Sequence, residues 1–151
     1  MPPNTTSTEQ LAAMVAAKLQ VLKVLVQLTR RQVALIEAGE MSTLIKLLAA
    51  KQTVISQLQV LEQELTPFRG EDPEKREWKS PLQRAACQAQ AQYANTLLAE
   101  TLQLEQQAES KMLRRRDAAA AALSAVQTAS DARAAYATIP AAGINSLQVE
   151  G

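Results

Sequence analysis

Apolar residues recur along the chain at steps of three and four. The first run is Leu11, Val15, Leu19, Leu22, Val26, Thr29, Val33 and Ile36, a near-heptad seam that predicts a helix over about 8–38. A second row, Met14, Val21, Leu25, Leu28 and Leu35, widens the stripe, so this helix should face two neighbours. Ser7 and Gln10 read as a capping box at its start, after a flexible lead over 1–7. Gly39 reads as the residue that ends it.

A second seam begins almost at once: Met41, Leu44, Leu48, Lys51, Ile55, Leu58, Glu62 and Leu65. Ile45, Leu47, Val54 and Leu61 broaden it, and Pro67 is expected to stop the helix, giving a span of about 41–65. Lys51 and Glu62 interrupt the seam with charge, which suggests that it runs near the surface. A link as short as the one around Gly39 forces the two helices into an antiparallel hairpin.

Residues 67–80 read as a charged loop, and a strong start signal follows. Ser80 is the predicted N-cap, Pro81 the first helical residue, and Gln83 completes a capping box. From Leu82 to about Tyr136 there is no Gly or Pro. Leu97, Leu98, Leu102 and Leu104 are expected to anchor this helix, and five alanines, Ala118 to Ala122, raise its helix propensity. Pro140 and Gly143 mark a loose tail over 138–151.

The spans predict an all-α protein: an antiparallel hairpin and one long third helix over about 81–136, forming a three-helix, coiled-coil-like bundle in a single domain. At a rise of about 1.5 Å per residue, the helices run roughly 45, 38 and 80 Å. The hairpin can therefore cover the third helix only as far as about Met112. Beyond it, Leu113, Leu123, Val126 and Tyr136 are left without an in-chain partner.

Composition narrows the function. The 151 residues are 47 % hydrophobic but only 3 % aromatic, so the core must be aliphatic. There is no histidine, which removes the commonest general base and metal ligand. The single cysteine, Cys87, cannot form an intrachain disulfide, and it reads as a small buried residue. Sixteen basic residues against 15 acidic ones leave a net charge of +1, which favours no nucleic acid. No Gly-rich phosphate loop is present. An enzyme is not expected, nor any cofactor or metal. The first residues lack a secretory signal pattern and no contiguous apolar run of spanning length occurs, so a cytoplasmic protein without a membrane span is expected.

Most of the charged clusters have a plain structural reading. Arg114, Arg115 and Arg116 stand near Glu105, Glu109 and Asp117, the spacing of a solvated and partly paired face. Glu100, Glu105 and Glu109 lack the histidines of a di-metal carboxylate site and read as surface carboxylates. The stretch from Met112 to Ala137 is different. Met112, Ala119, Leu123, Val126, Ala129 and Tyr136 give a face of small residues with a few large ones, suited to another helix. A homodimeric coiled coil through the same face is the alternative.

The segment "LIEAGEMSTLIKLLAAKQTVISQLQVLE" over 35–62 resembles the FlgN-type flagellar export chaperones. Their leucine pattern around a short glycine–acid turn is matched by Leu35, Gly39, Glu40 and Leu44, with Leu35 one place off the commonest spacing. Lys51, Leu61 and Glu62 follow the same pattern, as do "ESKMLRRRDAAAAALSAV" and the tyrosine in "ARAAYA" near the end of the last helix. The resemblance covers most of 9–137.

It implies a chaperone that binds hook–filament junction proteins, prevents their premature assembly and hands them to the flagellar type III export gate. Met112, Ala119, Leu123 and Val126 would then hold the substrate protein, and Tyr136 would dock on the cytoplasmic domain of the gate. The competing expectation is a structural, homo-oligomeric coiled-coil adaptor.

Overall fold

The computed structural model describes residues 5–138, which form three α-helices and one 3₁₀ turn, with no strand among the described residues. Helix α1 spans Thr5–Ala38, α2 spans Met41–Arg69 and α3 spans Pro81–Ala137, with the 3₁₀ turn at Pro73–Lys75. The protein is all-α, and α1 packs on both α2 and α3. Of the expected N-terminal lead, residues 1–4 lie outside the described residues, as does the expected tail from Ile139 onward.

The turn at Gly39 follows from backbone chemistry. Gly39 adopts φ 74°, a left-handed conformation that costs glycine nothing. Its N–H donates to the Ile36 carbonyl at 3.2 Å, and that of Glu40 donates to Leu35 at 3.0 Å. This is a Schellman closure, and it satisfies carbonyls that the end of α1 would otherwise leave bare.

Three clusters stack along the bundle and fix the helix directions. At one end Leu11 and Val15 of α1 meet Leu65 of α2 and Cys87 of α3. In the middle Leu19, Leu22, Leu25 and Val26 pack on Ala94 and Leu97, with Val54, Ile55 and Leu58 against them. At the hairpin end Ile36, Leu44 and Ala108 close together. Helix α2 is thus antiparallel to α1, and α3 runs parallel to α1. The α1 seam holds as expected: Leu22 and Thr29 are wholly buried.

Several details differ from expectation. Helix α1 is already helical at Thr5, so Ser7 does not cap it. The Thr8 hydroxyl donates instead to the Glu77 carbonyl at 2.7 Å, and Lys79 pairs with Glu9 at 2.8 Å, tying this end to the 70–80 segment. Pro67 does not stop α2, which continues to Arg69. Proline removes one backbone donor, but the acceptor it would have served, the Gln63 carbonyl, belongs to an exposed residue that water can reach, while Phe68 packs into the first cluster and its carbonyl accepts from Arg76 Nη2 at 2.7 Å.

On α2, Leu47, expected only to broaden the seam, is buried, while Leu48 of the expected seam is exposed. On α3, Leu97 is buried while Leu102 is 58 % exposed. The buried row of α3 is Cys87, Ala94, Leu97, Thr101 and Ala108, at steps of seven, three, four and seven. Small side chains at those positions let the hairpin approach the α3 backbone closely. The Ser80 cap stands as expected: Ser80 Oγ accepts from Gln83 N–H and Gln83 Oε1 accepts from Lys79 N–H, both at 3.1 Å.

The seam charge also departs from expectation. Lys51 is only 5 % exposed, inside the bundle rather than near its surface. Its ammonium donates to Gln32 Oε1 on α1 at 2.7 Å and pairs with Glu105 on α3. Burial pushes its pKa below the ordinary lysine range. With Thr29 and Thr101, whose hydroxyls bond their own helices, it makes a polar layer between the middle and hairpin-end clusters.

An averaged hydropathy gives a different view of α1 from its contiguous apolar runs. Between Ser7 and Ala38, α1 contains an 18-residue window of mean hydropathy 1.7, long and apolar enough by length and composition to cross a membrane. The window contains no long contiguous apolar run, since Gln and Lys are interspersed along it. The apolar stripe of that helix, from Leu11 to Ile36, packs against α2 and α3.

Candidate partner-binding site

The chain resolves into two compact units, the first ending at Lys111 and the second starting at Met112. In the second, α3 is held by local forces. Ala118 to Ala122 have the highest intrinsic helix propensity. Gln127 Nε2 donates to Asp131 Oδ1 at 3.2 Å and Thr128 Oγ1 to the Ser124 carbonyl at 2.9 Å, both one turn apart.

Every residue from Met112 to Thr138 is exposed. Met112 is 39 % exposed, Leu123 69 %, Val126 65 % and Tyr136 73 %, values that no packed helix face would show. Met112, Ala119, Leu123 and Val126 are separated by seven, four and three residues, so they share one face of the helix. Tyr136 lies ten residues beyond Val126, roughly 80° around the axis at 3.6 residues per turn. The structure therefore brings the four expected substrate-binding residues onto one stripe and leaves Tyr136 off it. Leu113, 43 % exposed, adds apolar surface beside the stripe.

The flanking charges behave partly as expected. Arg116 Nη2 contacts Asp117 Oδ1 at 3.5 Å, both side chains exposed. Glu105 does not serve the arginine cluster, because the buried Lys51 needs its carboxylate. Glu100 likewise pairs with Arg30 across to α1. Among the described residues no group of three or more His, Cys, Asp or Glu side chains is placed to hold a metal ion. Cys87 is buried as expected, and burial pushes its thiol pKa up, away from the nucleophilic thiolate.

The stripe can do one thing chemically: bury apolar area against another helix. It offers no acid, base or nucleophile in an enclosed setting. Compared with known proteins, the chain matches no family model, no curated protein and no solved structure.

Proposed function

We propose that the protein is a cytoplasmic, non-enzymatic export chaperone of the FlgN type, which binds hook–filament junction proteins and delivers them to the flagellar export gate. The observation that supports this most is the exposed helical stretch 112–137, with Met112, Ala119, Leu123 and Val126 on one stripe. Burying Leu123 and Val126 against an amphipathic helix would contribute roughly 1.5–3 kcal/mol each. By mass action, that binding lowers the free concentration of subunit that would otherwise self-associate. Tyr136, on a different face, is assigned to the gate, where its ring and hydroxyl suit an interface anchor.

Calorimetry with a hook–filament junction protein tests the assignment. The Leu123→Asp, Val126→Asp double variant should lose binding and keep its helical content, while Tyr136→Ala should keep substrate binding and weaken gate binding by about 1–2 kcal/mol. Undiminished substrate affinity in the double variant would rule the stripe out. Tight self-association of the free protein, abolished by that same variant, would support the coiled-coil adaptor instead.

A further inference from the structure

A net charge of +1 hides a strong asymmetry. Between Glu9 and Glu37, α1 carries Lys18, Lys23, Arg30 and Arg31 and not one acidic residue. Helix α3, parallel to it, has none before Glu100. Lys23, Val24, Gln27, Leu28, Arg30 and Arg31 line a shallow, wide-open groove along one side of α1 on this acid-free stretch. Val24 is 49 % exposed, and Leu28, one turn further on, is half-buried. Lys23 Nζ sits 5.7 Å from the ring centroid of Tyr93 on α3, itself 48 % exposed. Arg30 is engaged by Glu100, whereas Arg31 makes no ion pair among the described residues.

We infer that this face of the bundle docks an acidic amphipathic helix of a partner protein. Its apolar positions rest on Val24, Leu28 and Tyr93, and its carboxylates meet Lys23 and Arg31. Val24 and Leu28 have the four-residue spacing that a helix laid along a groove presents to its partner. Arg31 offers a planar fork of donors matched to a carboxylate. An anionic membrane is recognised by clusters of about four to eight basic residues, more than this groove supplies. A single-stranded nucleic acid needs successive aromatic platforms along the strand, and this face offers the one ring of Tyr93. The inference is independent of the chaperone reading, since it uses none of residues 112–137.

The test uses the full-length protein and fluorescence anisotropy with a short labelled amphipathic peptide, leucines at helical spacing and glutamates between. The same peptide with lysines for glutamates, an oligouridylate and phosphatidylserine vesicles complete the set. The glutamate peptide should bind, more weakly at raised salt, and lose about tenfold in Lys23→Glu, Arg31→Glu. Neutral Lys23→Gln, Arg31→Gln should lose about threefold, and Leu123→Asp, Val126→Asp nothing. Val24→Ser should also weaken it, with the circular dichroism spectrum unchanged. The inference is overturned if the glutamate peptide fails to bind, if the lysine peptide binds equally, or if the charge-reversed variant keeps full affinity. Preference for the vesicles or the oligonucleotide through Lys23 and Arg31 would overturn it as well.

Discussion

Helix α3 carries the same kind of pattern twice. From Cys87 to Ala108 a row of mostly small residues at heptad steps is buried, and Ala94 and Ala108 are almost wholly enclosed. From Met112 to Val126 a comparable row, Met112, Ala119, Leu123 and Val126, is exposed throughout. Propensity makes both stretches helical, so local sequence cannot tell them apart. What separates them is the length of the hairpin, which ends at Gly39: its apolar side chains Ile36 and Leu44 meet α3 at Ala108, and Glu37 pairs with Lys111 just beyond. A helix face suited to a partner helix is filled by the chain in one stretch and left open in the other.

Core truncations should break this symmetry most visibly. Leu22→Ala, at a wholly buried position, should cost about 3–4 kcal/mol and Leu97→Ala about 3 kcal/mol. Leu58→Ala, half-buried against the middle cluster, should cost about 1–2 kcal/mol. Leu123→Ala should shift stability by less than about 0.5 kcal/mol. Urea unfolding of the four variants checks the ranking, and equal losses at Leu97 and Leu123 would contradict it.

Charge inside the bundle gives a smaller and more specific effect. Lys51→Met leaves the Gln32 amide without its donor and should cost about 1 kcal/mol near neutrality. The pH dependence follows from the direction of the lysine shift. With its pKa lowered by burial, folded Lys51 holds its proton less tightly than the unfolded chain does. Its unfavourable contribution is full below the folded pKa and is relieved as pH climbs toward the free-lysine range. The stability of the protein relative to Lys51→Met should therefore rise on the alkaline side. A difference that stays flat there would mean that Lys51 is not desolvated.

The caps act at similar size on local structure. Ser80→Ala removes the acceptor of the Gln83 N–H and should cost about 1 kcal/mol, read as earlier thermal unfolding and faster amide exchange over the first turn of α3.

Much of this fold is legible in the periodicity. The α1 seam, the turn at Gly39 and the Ser80–Pro81–Gln83 start rest on chemistry confined to a few neighbouring residues. The misread positions depend on distant ones. Leu47 and Leu48 both lie within helical reach of Leu44, and only the placement of α1 and α3 decides which is buried. From spacing alone Lys51 reads as a surface interruption, because its partners, Gln32 and Glu105, stand on other helices. Pro67 is tolerated because it stands in the last turn among exposed residues, and Phe68 beyond it is held by the first cluster and by Arg76, contacts that sequence spacing does not announce. Beside Cys87 and Leu97, the α3 core row consists of Ala94, Thr101 and Ala108, which carry no large apolar side chain to mark them as core. The exposed stripe could be read from helix lengths alone, whereas the acid-free face of α1 had a plain signal in the 27 residues between Glu9 and Glu37.

Amide hydrogen exchange of the full-length protein, alone and with a hook–filament junction protein, tests the central claim most directly. The account predicts fast exchange over 112–137 in the free protein, where every residue is exposed, and slow exchange around Leu22 and Leu97. Adding the junction protein should slow exchange around Met112 to Val126 and leave the bundle core unchanged. Protection confined to the bundle, with 112–137 as fast as before, would contradict it.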